Sequence, residues 1–220
     1  LILDLELKIT HADIAFNAPL QFNSAIKAGN VTVADMFSLY KYENQLCVMR
    51  LTGEEVRKHL EMSYDLWVNT MKSPDDHLLL LANTRDDAQR LGFKNFSFNF
   101  DSAAGIDYVV DVTKPDGEKV HILRMSNGEP FDEHKWYTVA VNSYRANGGG
   151  ELLTKGAGIA RDSLKNRIIW ESEKDQRHYL MEEIKKAGIM NPQPHNNWKF
   201  IPEAWTVPAA ARDRKILFGE

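Results

Sequence analysis

The chain has 220 residues, 43% of them hydrophobic, with a formal net charge of −4 and a single cysteine. This length and apolar content suffice for one large domain or two small ones with a proper core. The acidic balance gives no electrostatic case for binding a nucleic-acid polymer, and one cysteine excludes a disulfide framework or a cysteine-based metal site. No stretch approaches the roughly 20 apolar residues of a membrane span.

The first third of the chain carries alternating strand and helix signals. We predict a strand that ends near Asn17, a short helix capped by Thr32 and a strand over residues 45–51. A capping box that starts at Thr52 predicts a longer helix. Its apolar residues recur at near-helical spacing and predict a stripe that faces the core, formed by Val56, Leu60, Tyr64 and Trp67.

The middle third predicts an antiparallel meander. Residues 69–93 are polar and mixed, which indicates a long surface excursion, and residues 96–100 alternate with period two. Strands are predicted over 105–112 and 119–125, joined by a Pro-Asp-Gly turn, and the next strand is predicted over 136–144.

The last third predicts one helix and one short strand. Ser172 is a candidate N-cap for a helix that runs to Ala187, with Gly188 as its stop. A strand follows at 198–201, and the charged tail beyond Pro208 is expected to wrap the surface. The order of elements predicts an α+β fold with a mixed, mostly antiparallel sheet and flanking helices.

Residues 137–150 join a buried-strand pattern to a glycine loop. Tyr144 and Arg145 stand at the end of the predicted strand, and three glycines follow Asn147. Backbone N–H groups in such a loop are unshielded, so a ligand can approach them closely. A glycine run without Walker or dinucleotide spacing is a weak motif. The residues taken alone are also compatible with a flexible turn in the loop and with Tyr144 as an aromatic that closes the core.

The sequence lacks a complete catalytic set. None of the seven histidines is paired at metal-ligand spacing, and most are expected at the surface. There is no Gly-x-Ser-x-Gly elbow, and Cys47 lies in an apolar strand where a thiol is inert. The chain therefore has the parts of a binding surface.

Aromatic and amide side chains supply those parts. Phe98 and Tyr144, facing each other across about 7 Å, would sandwich a planar base, and such stacking is worth roughly 1–3 kcal/mol. Amides can hold hydroxyl groups and base edges without net charge. Those near predicted strand ends are Asn17, Asn44, Asn99, Asn142 and Asn147.

Four stretches together resemble one family. They are Phe-Asn-Ala-Pro at 16–19, the segment 39–56 with its Tyr-Glu-Asn and Thr-Gly-Glu-Glu, the segment 99–108, and Asn-Ser-Tyr-Arg-Ala-Asn-Gly-Gly at 142–149. Their order resembles the C-terminal domain of the 5′-nucleotidase family. The Asn-Ala-Pro and Asn-x-Tyr-Arg-Ala-x-Gly-Gly forms look most like its 2′,3′-cyclic-nucleotide 2′-phosphodiesterase/3′-nucleotidase branch.

Two departures from the 5′-nucleotidase branch favour the cyclic-nucleotide branch. The arginine expected within residues 17–22 is absent, and Gly-Gly-Gly at 148–150 stands where that branch has Gly-Gly-Asp.

The resemblance implies a division of labour between two domains. An N-terminal metallophosphoesterase domain, absent from this chain, would carry two divalent metal ions, and this chain would need no cofactor of its own. Residues 1–11 would be the end of a linker, 12–205 a nucleotide-binding domain and 206–220 a C-terminal tail. The start at Leu1, without methionine or a basic segment, fits a piece of a longer protein. The resemblance also implies a periplasmic or secreted location.

The resemblance also assigns roles in substrate binding. Tyr144 matches the base-stacking aromatic, and Phe98 is our choice for its partner, with Phe96 or Phe100 as alternatives. Arg145 is either a cation near the phosphate or a solvent-facing side chain. The other matching positions, which would hold the nucleoside, are Asn17, Asn44, Asn142, Asn147, Gly148 and Gly149.

Two other classes of protein remain open at this point. One is a stand-alone nucleoside or sugar-nucleotide binding module without hydrolase activity. The other is an interaction or structural domain whose aromatic residues form the core.

Overall fold

The chain folds into two β-sheets with flanking helices. The computed structural model describes residues 1–19, 25–82 and 91–219. The helices are α1 (Ile2–Thr10), α2 (Val33–Leu39), α3 (Gly53–Trp67), α4 (Ser143–Ala146), α5 (Leu164–Arg167), α6 (Gln176–Ala187) and α7 (Glu203–Phe218). The strands are β1 (Ile14–Asn17), β2 (Gln45–Thr52), β3 (Ser102–Ala104), β4 (Ile106–Asp111), β5 (Val120–Met125), β6 (Trp136–Asn142), β7 (Ile168–Asp175) and β8 (Trp198–Ile201).

The larger sheet has five strands in the order β3-β1-β6-β2-β7, and the smaller has three in the order β5-β4-β8. Each sheet contains one parallel pair, β1 with β6 and β4 with β8, and the other pairs are antiparallel. The predicted α+β fold with mixed, mostly antiparallel strands is therefore confirmed.

The continuous meander predicted for the middle third is wrong. Strand β5 belongs to the three-stranded sheet, whereas β6 lies at the centre of the five-stranded sheet between β1 and β2. The physical reason lies in the side chains: Val139, Ala140 and Val141 are all fully buried, as a strand covered on both faces requires.

Helix α3 bears the predicted cap and the predicted apolar stripe. The Thr52 Oγ1 accepts from the Glu55 N–H at 3.2 Å, and Glu55 Oε2 accepts from the Thr52 N–H at 2.8 Å. The stripe enters a core that both sheets share, and the Tyr64 hydroxyl lies 2.9 Å from that of Tyr108 on β4. The predicted cap of α2 at Thr32 is also confirmed.

Several local predictions differ from the structure. Residues 97–99 form a 3₁₀ turn instead of a strand, and the strand predicted to reach Tyr144 ends at Asn142. Ser172 lies within β7, and Asp175 caps α6 by accepting from the His178 N–H at 3.0 Å.

The two ends of the chain are helical and packed. Leu5 and Glu6 of α1 are buried, although we expected residues 1–11 to be linker. Helix α7 continues through Pro208, and its Asp213 is buried, where it accepts from the Leu79 N–H at 2.8 Å. Most residues beyond Pro208 are exposed, as expected for a surface segment, but the segment is helical and Asp213 anchors it to the rest of the chain.

The predicted surface excursion at 69–93 is partly core. Met71, Leu78 and Phe93 are buried in the main hydrophobic cluster or beside it. Residues 83–90 of that prediction, and residues 20–22 of the missing-arginine motif, lie outside the described residues.

Candidate functional site

A cavity of about 230 Å³ opens where the end of β6 meets the start of β2. Five of the described residues line this aromatic cavity: Tyr42, Asn44, Phe98, Asn142 and Tyr144. Four of them were predicted from the sequence, and the antiparallel β2–β6 pairing brings Asn44 and Asn142 to the same edge of the sheet. The lining residues carry aromatic rings and neutral amides, with no charged side chain among these five.

The rings of Phe98 and Tyr144 meet edge to face. Their centroids are 6.2 Å apart and their planes are inclined by 85°. The predicted face-to-face arrangement across about 7 Å is therefore wrong for this structure. Two rings in direct contact favour the edge-to-face arrangement, because the positive edge of one ring meets the negative face of the other. Phe96, an alternative partner, instead stacks on Phe98 at 5.1 Å.

Tyr144 lies on a short helix whose cap is the preceding amide. Asn142 Oδ1 accepts from the Arg145 N–H at 2.9 Å, so the chain leaves the strand and turns directly into α4. This turn presents the Tyr144 ring to solvent with 41% of it exposed. Asn44 donates to the Tyr40 hydroxyl at 3.2 Å, which anchors the second amide of the cavity.

The glycine loop lies behind the Tyr144 ring. A Cβ on Gly149 would stand 2.5 Å from that ring, so only glycine permits the observed packing. Gly148 has a φ of 84°, in the left-handed region. The Asn147 amide donates to the Ser143 carbonyl at 2.8 Å. These three predicted residues shape the loop behind Tyr144, and the cavity lining does not include them.

Arg145 is buried, with 2% of its surface exposed. Of the two alternatives left open by the sequence, the solvent-facing side chain is wrong. Its Nε and Nη2 donate to the two carboxylate oxygens of Asp101, both at 2.9 Å. Its remaining N–H groups donate to the carbonyls of Phe98 (3.0 Å) and Gly149 (2.5 Å) and to Asn99 Oδ1 (3.3 Å). All five N–H donors of the guanidinium are thus used, so this conformation leaves none for a phosphate.

Asp101 and His59 complete this buried cluster. Burial alone would raise the pKa of Asp101, but Arg145 and His59 hold that pKa at about 2. His59 Nε2 lies 2.8 Å from Asp101 Oδ2, and its ring stacks on Phe16 with centroids 4.2 Å apart. Burial lowers the pKa of His59, so the imidazole is neutral and donates to the carboxylate.

Asn17 is not among the residues that line the aromatic cavity. It is buried and donates from Nδ2 to Glu6 Oε1 at 2.5 Å, and Gln176 donates to the same oxygen. Burial raises the pKa of Glu6 to about 8. The role of Asn17 beside the substrate stays a prediction, and in this structure its amide is engaged by Glu6.

Sequence reasoning missed two residues. Tyr42 lines the cavity, and its only signal was an aromatic two positions before Asn44 in a loop that precedes a strand. Asp101 stood within a recognised stretch without an assigned role, because its partner Arg145 is 44 residues away in the sequence.

The described residues contain no group of three or more His, Cys, Asp or Glu side chains that could hold a metal ion. No metal-dependent step is assigned to these residues; the resemblance implies the two-metal centre in a different domain. Within the same described ranges, the helices are too short or too polar to cross a membrane.

Comparison with solved structures defines the class of fold. A 5′-nucleotidase precursor from Thermus thermophilus superposes with a TM-score of 0.64 at 20% sequence identity, covering 92% of this chain and 34% of that one. The fold is that of 5′-nucleotidase structures.

Comparison of sequences defines the family. Residues 1–155 match the family described as 5′-nucleotidase, C-terminal domain, and the chain belongs to it. It is 31% identical over 196 residues to the trifunctional nucleotide phosphoesterase protein YfkN of Bacillus subtilis (strain 168), covering 82% of this chain and 12% of that protein. It is also 31% identical over 196 residues to a 2′,3′-cyclic-nucleotide 2′-phosphodiesterase/3′-nucleotidase of Haemophilus influenzae, covering 80% of this chain and 26% of that enzyme. The chain thus spans about a quarter or less of these two relatives.

Proposed function

We propose that this domain binds the nucleoside part of a nucleotide in the aromatic cavity. The observation that carries the proposal is the convergence of three aromatic rings and two amides, Tyr42, Phe98 and Tyr144 with Asn44 and Asn142, around one cavity of about 230 Å³. Aromatic faces hold a flat base by stacking, and amides hold base edges or hydroxyl groups. The five described lining residues are uncharged, which suits the base and sugar rather than the phosphate.

The domain would serve as the substrate-binding part of a metal-dependent nucleotide phosphohydrolase. The names of the relatives support this role, since they are nucleotide phosphoesterases and cyclic-nucleotide phosphodiesterases of which this chain matches only a part. Two divalent metal ions in an N-terminal metallophosphoesterase domain would supply the Lewis-acid chemistry. This chain would bind and orient the nucleoside. A periplasmic or secreted location is part of the same proposal.

Calorimetric titration with adenosine tests the binding role. Tyr144→Ala and Phe98→Ala should each weaken binding by about tenfold to a hundredfold, the equivalent of roughly 1–3 kcal/mol per stacked base. Trp170→Ala is a matched control, because Trp170 is an exposed aromatic on β7 with the same 41% exposure as Tyr144. Saturable binding that survives in both cavity variants would contradict the proposal.

The hydrolase role needs a longer protein that carries the upstream domain. With added divalent metal, it should release phosphate from 3′-AMP and open 2′,3′-cyclic AMP. Adenosine binding without either reaction would instead favour the stand-alone binding module.

A further inference from the structure

The two aromatic walls of the cavity, Phe98 and Tyr144, come from distant parts of the chain. Arg145, the residue next to Tyr144, donates to the Phe98 carbonyl across 47 positions of sequence. It also donates to the Gly149 carbonyl at 2.5 Å, and the Tyr144 ring packs directly on Gly149. One guanidinium therefore contacts the backbone of Phe98 and the backbone of Gly149, on which the Tyr144 ring packs.

Asp101 fixes the orientation of that guanidinium. The paired contacts at 2.9 Å hold the planar fork in one orientation, as bidentate arginine–carboxylate pairs do. Both side chains are at least 96% buried, so neither charge has an alternative partner in water. A buried pair of this kind resists the loss of either member, because the remaining charge would be uncompensated.

The rings themselves are less constrained than the backbone that carries them. Tyr144 is 41% exposed, and its contact with Phe98 is edge to face. The carbonyl contacts of Arg145 hold the Phe98 and Gly149 backbone and do not involve the side-chain torsions of the two rings.

We infer that the Asp101–Arg145 pair is a positioning device that sets the separation of the two aromatic walls, so that a single flat ring system is admitted by ring rotation alone. This inference rests on the proposed function. It gives Arg145 a role through Phe98 and Tyr144 in place of direct contact with substrate.

Arg145→Lys tests the inference, because lysine keeps the charge opposite Asp101 and removes the planar fork. The first readout needs no ligand: nuclear Overhauser contacts between the Phe98 and Tyr144 rings, present in the parent chain, should be lost. The second is adenosine affinity, which should fall at least tenfold at temperatures where the variant is folded.

Arg167→Lys is the matched control. Arg167 also donates through two nitrogens to one carboxylate, Glu55, at 3.0 and 3.2 Å, outside the cavity. Its replacement should leave the ring contacts intact and adenosine affinity within twofold. If Arg145→Lys fails to fold, Asn99→Ala removes one acceptor of Arg145 and keeps the ion pair; a several-fold loss of affinity with weakened ring contacts is then expected.

Ring contacts and adenosine affinity that both persist in a folded Arg145→Lys chain, or in Asn99→Ala where only that variant folds, would overturn the inference. The failure of the proposed function has a different signature: the parent chain would not bind adenosine, while the ring contacts would still respond to Arg145→Lys.

Discussion

Asn17 and Glu6 are joined by a hydrogen bond of 2.5 Å, and both side chains are buried, at 5% and 0% exposure. This contact ties the end of β1 to α1, and Gln176 ties α6 to the same Glu6 oxygen. Burial raises the pKa of Glu6 to about 8, so the folded chain holds a proton on this carboxyl at neutral pH.

The Glu6 proton predicts a pH-dependent stability. A glutamate in the unfolded chain loses its proton near pH 4.3, whereas the folded chain holds it up to about pH 8. Between these values the unfolded state binds fewer protons, so the free energy of unfolding falls as pH rises, by about 1.4 kcal/mol per pH unit. Urea unfolding at pH 5, 6, 7 and 8 measures this slope.

Glu6→Gln should remove that part of the slope, because glutamine does not titrate. Glu182→Gln is the control, since Glu182 is an exposed residue paired with Lys185 on α6. Stability curves of the parent and Glu6→Gln chains that run parallel over this pH range would contradict the prediction.

Gly149→Ala should weaken ligand binding more than it destabilises the fold. The new Cβ would stand 2.5 Å from the Tyr144 ring, which must move. Because that ring is exposed, the stability loss should lie below the about 1–3 kcal/mol typical of overpacked cores. Gly156→Ala is the control, because its new Cβ would stand 2.9 Å from Met62, which does not line the cavity. Adenosine titration and urea unfolding of both variants measure the effects; equal affinity in the two would count against the prediction.

Thr52→Ala should destabilise the chain by about 1 kcal/mol, because it removes the N-cap acceptor of α3. Thr52→Ser retains the hydroxyl and should lose much less. Adenosine affinity should stay unchanged in both, since the cap is separate from the cavity. Urea unfolding of the two variants measures the loss of stability. Alanine and serine variants of equal stability would refute the role of the cap.

The Cys47 thiol should be unreactive in the native chain. It is fully buried on β2, and burial, with a smaller contribution from Glu171, raises its pKa to about 12. The thiolate is the reactive form, so labelling by a disulfide reagent should require unfolding. Reaction in native buffer is compared with reaction in concentrated urea; fast labelling in both would show an open thiol.

Local signals in the sequence predicted local structure well. The capping box at Thr52, the apolar stripe of α3 and the β4–β5 hairpin depend on residues close together in the chain. The aromatic positions Phe98 and Tyr144 also meet as expected, although their rings are not parallel.

The features that the sequence did not predict depend on contacts between segments that are distant in the chain. The residues near Arg145 in the sequence do not indicate that it is buried, because its partner Asp101 comes from a distant segment. No helix was predicted around Pro208, yet α7 continues through the proline, and Ala209 and Asp213 are buried beyond it. Strand pairing across two sheets likewise depends on tertiary packing that local propensity does not record.

The β4–β5 hairpin lies between Phe98 and Tyr144 in the sequence but belongs to the three-stranded sheet. After it, the exposed residues 126–130 lead back toward β6. Because the hairpin belongs to the other sheet and residues 126–130 are exposed, we expect insertions or a grafted fluorescent reporter there to leave the cavity in place. A reporter at these residues could then be used to follow the domain within a larger protein.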